Sequence, residues 1–354
     1  MKTKFISLLV CMLILSCSKD TGTKDMHEFN GAYKGANIDR IAFPIGGMGA
    51  GMFCVEGNGS FSAFSLRHKP DLGNKPMFFA AVSLKGKKNS AKILEGPVQS
   101  WRIFGLPGTG NGGGFLGCPR FSDAEFSSRF PFANIGLKEK GYPMNISLNV
   151  WSPFIPCDAD NSSLPVGGLE YTFTNPTGEP LEGVFSFHSE NFMEMKVKRN
   201  NKWVNERDSV MSMPNGFILA QNCFPDHPEF KGEFAVFTDA ADAVIDYCWF
   251  RGGWFDARTL IWNDIEKCNM PADSVSKGSK GASLFVPLKL KPGESRTIRV
   301  MTAWHVPHSD QRAGLDPENT PPVKKPSDLK CLPESGCCPS SITEQYYEPW
   351  YYGK

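Results

Sequence analysis

Met144-Asn145-Ile146-Ser147-Leu148-Asn149-Val150 places an apolar side chain at every second position. Successive side chains of an extended strand point to opposite faces. The spacing therefore puts Met144, Ile146, Leu148 and Val150 on one buried face and the Asn and Ser residues on a wet one. A helix would scatter the same residues around its circumference. The stretch reads as a half-buried strand.

The pattern recurs on both sides of it. Leu169-Glu170-Tyr171-Thr172-Phe173 alternates in the same way, Asn175-Pro176-Thr177-Gly178 supplies turn chemistry, and Val184-Phe185-Ser186-Phe187 begins another strand. Leu284-Phe285-Val286 and Leu288-Lys289-Leu290 run into Lys291-Pro292-Gly293-Glu294, after which Thr297 to Trp304 returns. Pro292-Gly293 suits a tight reversal, which predicts a hairpin. No long stretch shows a 3.6-residue apolar stripe with caps. The expected fold is all-β, a large two-sheet β-sandwich of many antiparallel strands, with a short irregular C-terminal linker.

Composition agrees with that class. The chain has 354 residues with 35 Gly and 27 Pro, so turns are frequent, and 12% aromatic residues supply a core. Formal net charge is +1 and no basic block stands out, which argues against a nucleic-acid partner. Lys2 and Lys4, then the apolar run Phe5 to Leu15, read as a secretion signal too short to span a membrane. Ile14-Leu15-Ser16-Cys17 resembles a bacterial lipobox, which makes Cys17 the expected lipidation site and the cell envelope the expected location, lipid-anchored and either periplasm-facing or on the outer surface. The expected division is a signal peptide at 1–16, a tether at 17–38, the sandwich at 39–310 and a polar, proline-rich linker at 311–354.

Most other motifs have a plain reading. Beyond the leader the cysteines are 54, 118, 157, 223, 248, 268, 331, 337 and 338. Their scattered spacing suggests no disulfide framework, and the cluster Cys331, Cys337 and Cys338, which lacks the partners of a zinc site, reads as a local disulfide or a free thiol. Gly108-Thr109-Gly110-Asn111-Gly112-Gly113 spells a dinucleotide fingerprint without a following helix. Gly46-Gly47-Met48-Gly49-Ala50-Gly51 marks a strand where backbones approach closely. His305 and His308 lack a third ligand, and His68 and His188 read as satisfied core or edge residues. Neither a metal nor a cofactor is expected. Asp158 and Asp160 flank a loop where they could bind a cation or sugar hydroxyls, or simply hydrogen-bond the loop. Trp249, Phe250, Trp254 and Phe255 could stack on sugar faces or pack in a core or interface.

Taken together, several segments resemble glycoside hydrolase family 116, which includes non-lysosomal glucosylceramidase (bile-acid β-glucosidase) and bacterial β-glucosidases. The matching stretches include Phe43 to Cys54, Ile103 to Gly113, Arg129-Phe130-Pro131-Phe132, Trp151 to Pro156, Asp158 to Pro165, Cys248 to Trp254 and Glu348-Pro349-Trp350-Tyr351. The resemblance implies a front β-sandwich and a helical (α/α)6 barrel behind it, with retaining hydrolysis of β-glucosides by a Glu nucleophile and an Asp acid/base, both in the barrel. No catalytic residue carries over onto this chain, which ends where the barrel is expected to begin.

The expected function is accordingly a non-catalytic scaffold and substrate-cleft domain. Its expected partners are a helical catalytic domain, a β-glucoside substrate, and the membrane through the lipid anchor. Arg67, Asp158, Asp160, Trp254 and Asp256 are the candidate substrate or interface residues. A stand-alone cell-surface carbohydrate-binding module and a gene fragment are the alternatives.

Overall fold

In the computed structural model, the residues described are 28–99, 102, 116–199, 202–204, 208–225, 227–249, 257–276 and 279–309. Among them the architecture is the expected two-sheet β-sandwich. The large sheet has nine strands, in the order Tyr33–Lys34, Asp123–Arg129, Phe132–Lys138, Asn145–Trp151, Val166–Thr174, Ser295–His305, Gly232–Thr238, Gly216–Gln221 and Asp208–Met213. The small sheet has five, in the order Val244–Asp246, Gly281–Leu290, Leu181–Glu190, Phe78–Leu84 and Lys92–Ile93. Neighbouring strands in both sheets pair antiparallel. Tyr33–Lys34 and buried Ile38 already belong to this body, ahead of the expected boundary at residue 39.

Asn145–Trp151 lies inside the large sheet, paired with Phe132–Lys138 and Val166–Thr174. Its inward residues Ile146, Leu148 and Val150 are buried in the core with Leu169, Tyr171, Phe173, Ile298 and Val300. The outward face is wet and polar. Thr172 and Thr297 hydrogen-bond across it at 2.9 Å, and Arg299 reaches Glu170 and Asp239. Phe185 of the small sheet meets Tyr171 at 5.1 Å and Phe173 at 5.6 Å between ring centroids, joining the two inner faces.

A three-stranded sheet (Ala42–Ile45, Met52–Glu56, Phe61–Ser65) fills one part of the sandwich with aromatics. Phe53 lies 5.8 Å from Phe78 of the small sheet, and 6.2 Å from both Phe234 and Trp304 of the large one. Offset and edge contacts at such separations are favourable beyond the area they bury.

Two expectations need correction. Lys291 to Glu294 does turn the chain, but no hairpin forms, because Gly281–Leu290 belongs to the small sheet and Ser295–His305 to the large one. The segment between Thr174 and Leu181 makes the same crossing. Asn175, fully buried, ties the two crossings together. Its side-chain amide donates to the carbonyls of Glu179, Leu290 and Lys291, and its backbone bonds Gly293 and Glu294. Second, the glycine run at 46–51 is a loop between two paired strands and not itself a strand. The close approach is real: a Cβ on Gly47 would sit 2.3 Å from the Leu164 carbonyl oxygen.

The small sheet is buried on both faces. Phe78, Ala80 and Val82 face the main core, while Phe79 and Ala81 join a second cluster with Ile93, Trp249, Ile261 and Ile265. The last two lie one turn apart on the helix Ala257–Glu266, an element the sequence did not announce because its apolar stripe is so short.

Candidate functional site

The long connections of both sheets collect at one end. Residues 46–51, 66–77, 130–131, 152–165, 191–196, 222–225 and 227–231 lie there, a loop end opposite the Asn175 crossings, and hydrogen bonds tie several of them together. Gly47 N–H donates to the Leu164 carbonyl and Met48 N–H to that of Ser162. Ser152 N–H donates to Pro131, and Ser152 Oγ accepts from Gly46 N–H. Within residues 152–165, the Ser162 hydroxyl accepts from Ile155 N–H and donates to the Ile155 carbonyl. The main chain of these loops is therefore pinned by named contacts.

Three of the sequence-predicted residues lie in the loops of this end, in separate contacts. The Arg67 guanidinium donates to the carbonyls of Met193 at 2.9 Å, Phe230 at 3.0 Å and Glu229 at 3.2 Å. Gly232 makes room for it, since a Cβ there would lie 3.1 Å from Nη2. Burial lowers the Arg67 pKa to about 10, with Glu229 opposing that shift, so the group stays charged at neutral pH. Asp158 caps the short helix Ala159–Ser162, accepting from Asn161 N–H at 3.0 Å and from its side-chain amide at 2.6 Å. Those hydrogen bonds hold its carboxyl below the usual range. Asp160 lies exposed in that helix. Trp254, Asp256 and Cys17 lie outside the described residues, as do the Gly108 motif and Cys331, Cys337 and Cys338.

What the sequence reading passed over is apolar. Met48, Phe130, Phe132, Phe154, Ile155 and Leu164 are exposed large hydrophobics of this end. Phe130 and Phe154 meet edge to face at 5.1 Å. The signal was present in Phe130-Pro131-Phe132 and Pro153-Phe154-Ile155-Pro156. A proline beside each run marks a strand end, where a side chain has fewer neighbours to cover it.

Two other clusters are structural. His188 is a satisfied core residue, as expected. Trp249 Nε1 donates to Ser283 Oγ, Ser283 bonds His188 Nδ1, and His188 Nε2 bonds Ser186 Oγ, each at 2.8–2.9 Å. Burial drives the His188 pKa down to about 3, so the ring is neutral. The buried carboxylates Glu56 and Glu95 are tied to Arg102 and Arg120 respectively, with Lys75 beside Glu56 at 3.7 Å. Each of these carboxylates is thus engaged by a guanidinium within the sandwich. Among the described residues, no group of three or more His, Cys, Asp or Glu could hold a metal ion. The described cysteines are free thiols. No helix among these residues is long and apolar enough to cross a membrane.

A family model described as beta-glucosidase 2, glycosyl-hydrolase family 116 N-term, matches residues 42–353. The chain belongs to this family. No curated protein matches it. Among solved structures, the family 116 chain is similar to a protein described as an aldose 1-epimerase from Escherichia coli K12, at 10% identity and TM-score 0.38, over 75% of this chain and 99% of that one. It is also similar to a protein described as a kojibiose phosphorylase from the human microbiome, at 8% identity and TM-score 0.32, over 77% of this chain and 25% of that one. A polysaccharide lyase aligns at 13% identity and TM-score 0.30, over 75% of this chain and 33% of that one. Likeness at this level carries no argument about activity.

Proposed function

We propose that this chain is the non-catalytic β-sandwich of a β-glucosidase-type glycoside hydrolase, supporting a helical companion domain that carries the catalytic carboxylates. The observation that carries the reading is the match to the family 116 N-terminal domain across 42–353. The pairing of Glu56 with Arg102 and of Glu95 with Arg120 fits a supporting role. The substrate class is a β-glucoside, and the companion is either part of the same gene product or the product of a neighbouring gene. Arg67, Asp158, Asp160, Trp254 and Asp256 are the candidates for one wall of the substrate cleft or for the companion interface. We further propose that Cys17 is lipidated and holds the protein at the bacterial cell envelope, a reading supported by the lipobox-like Ile14 to Cys17.

The purified full chain is expected to give no turnover of an aryl β-glucoside, and turnover is expected to appear or rise when a family 116 helical domain is added. Hydrolysis by the chain alone, abolished by one carboxylate substitution such as Asp158→Asn, would overturn the reading. Cys17→Ala is expected to release the protein from the membrane fraction, and retention of that variant would remove the anchor.

A further inference from the structure

The outward face of the large sheet is polar around Thr172 and Thr297, but not throughout. Residues directly opposite each other on neighbouring antiparallel strands share a face. Nearer the loop end, Phe132 stands opposite Trp151, Trp151 opposite Gly168, and Gly168 opposite Met301. Met301 in turn stands opposite Phe237, Phe237 opposite Gly216, and Gly216 opposite Met213. The next row toward the loop end runs Val166, Ala303, Ala235, Ile218 and Met211. Strand register thus makes two apolar rows contiguous on the outward face. Phe132 is 48% exposed, the other side chains of the two rows are half-buried, and none of them belongs to either buried cluster.

Trp151 is the platform of this stripe. A Cβ on Gly168 would lie 2.2 Å from indole Cε2 and 2.4 Å from Nε1, so the ring lies over the Gly168 main chain, where a larger residue would displace it. Polar rows bound the stripe on both sides. On one, Asn149 donates to Glu170 at 3.3 Å, and Glu170 and Asp239 both accept from Arg299. On the other, Glu233 stands opposite His305. The rims therefore set three carboxylates against one guanidinium. We propose that the stripe binds a neutral oligosaccharide, laid across the strands with the C–H faces of its rings on Trp151 and Phe237 and its hydroxyls on the rim side chains.

Size, shape and charge favour that occupant. From Phe132 to Met213 the stripe crosses seven strands, about 29 Å at the usual strand spacing, and two rows are about 13 Å wide. An area of roughly 400 Å² is half of the ~800 Å² that each partner gives to a stable protein interface. A sugar chain is long and narrow, and each unit presents a flat C–H face and an edge of hydroxyls. Such a ligand asks for apolar surface with a few fixed polar groups beside it. Rim carboxylates and amides held by their neighbours supply acceptors and donors of set direction. The acidic balance of the rims disfavours phosphates, uronates and anionic lipids. The class of ligand follows from these residues, and the choice of β-linked glucose as its unit rests on the glycosidase reading above.

Titration calorimetry of the full chain with cellohexaose tests the proposal. Saturable binding is expected, weakened on the order of tenfold in Trp151→Ala and severalfold in Phe237→Ala. The second substitution lies on the third strand from Trp151 and keeps the test open should the first fail to fold, which the melting temperature of each variant shows. An oligogalacturonate of the same length, with a carboxylate on every unit, should bind far more weakly, and equal affinity would overturn the assignment of a neutral ligand. Binding of maltohexaose in place of cellohexaose, still weakened in Phe237→Ala, would keep the site and remove the β-glucoside reading. No heat with either neutral sugar would overturn the proposal, as would binding that both variants leave unchanged. Self-association that Phe237→Asp abolishes, with no sugar bound, would overturn it in favour of a second copy.

Discussion

The two ends of the sandwich are built differently. At one end the chain crosses between the sheets twice, through Asn175 to Pro180 and Lys291 to Glu294, and the buried Asn175 amide closes both crossings with three hydrogen bonds to main-chain carbonyls. At the other end the connections are long and pinned to one another, and they leave Phe130, Phe132, Phe154 and Ile155 facing outward. The first end hides its polar groups and holds the two layers together. The second satisfies its polar groups internally and offers apolar surface. Stability and contact chemistry are thus separated along the strand direction, as in other folds where a rigid scaffold positions variable loops.

Substitutions can break or sharpen that contrast. Asn175→Ala should have the largest effect, because it strands several buried carbonyls at once. A loss of about 2–4 kcal/mol in urea unfolding is expected, and a loss below about 1 kcal/mol would deny Asn175 its role as the tie between the crossings. Arg67→Met at the loop end should cost somewhat less, about 1–3 kcal/mol, because its carbonyl partners lie nearer to solvent. Arg67→Lys should not restore the loss, since an ammonium cannot reach the same set of acceptors in a planar fork. Full recovery by lysine would show that charge alone matters there.

Acid should act through the small sheet. His188 has a pKa of about 3 in the folded protein, against an ordinary value near 6.5. The unfolded chain therefore binds a proton first, and stability present above pH 6.5 should be lost progressively as pH falls toward 3, by up to a few kcal/mol. His188→Gln should flatten the unfolding profile across that window, and an unchanged slope would exclude the ring as its source. The smallest effect is expected at Asp158, whose carboxyl is exposed. Asp158→Ala should leave the melting temperature in place while speeding hydrogen exchange at 159–163, and a global shift would make this loop part of the folding core.

Much of the fold could be read from spacing. The alternation of Met144 to Val150 and of Leu169 to Phe173 gave the strands and their inward faces, and the satisfied state of His188 was legible from its place in an apolar strand. The hairpin at Pro292-Gly293 was misread for a definite reason: the dipeptide specifies that the chain turns, and nothing local says whether the next strand pairs with the last one or crosses to the facing sheet. At the candidate site, Arg67, Asp158 and Asp160 were named from their segments, but the partners that hold Arg67 come from residues up to 164 positions away, such as Lys231, which no local pattern can show. The exposed aromatics were missed because a local pattern rates Phe as core wherever it stands.

The sequence by itself determined the class of the fold, the buried side of alternating strands such as Asn145–Trp151 and Val166–Thr174, the positions of several turns and the family, because side-chain alternation and turn chemistry act over a few residues. Only the tertiary structure decided which sheet each strand entered, that the small sheet is covered on both faces, and which end keeps its apolar side chains in water. Those outcomes follow from pairings between distant strands, where backbone hydrogen bonds are the same for every sequence and the packing of the two layers selects the partner.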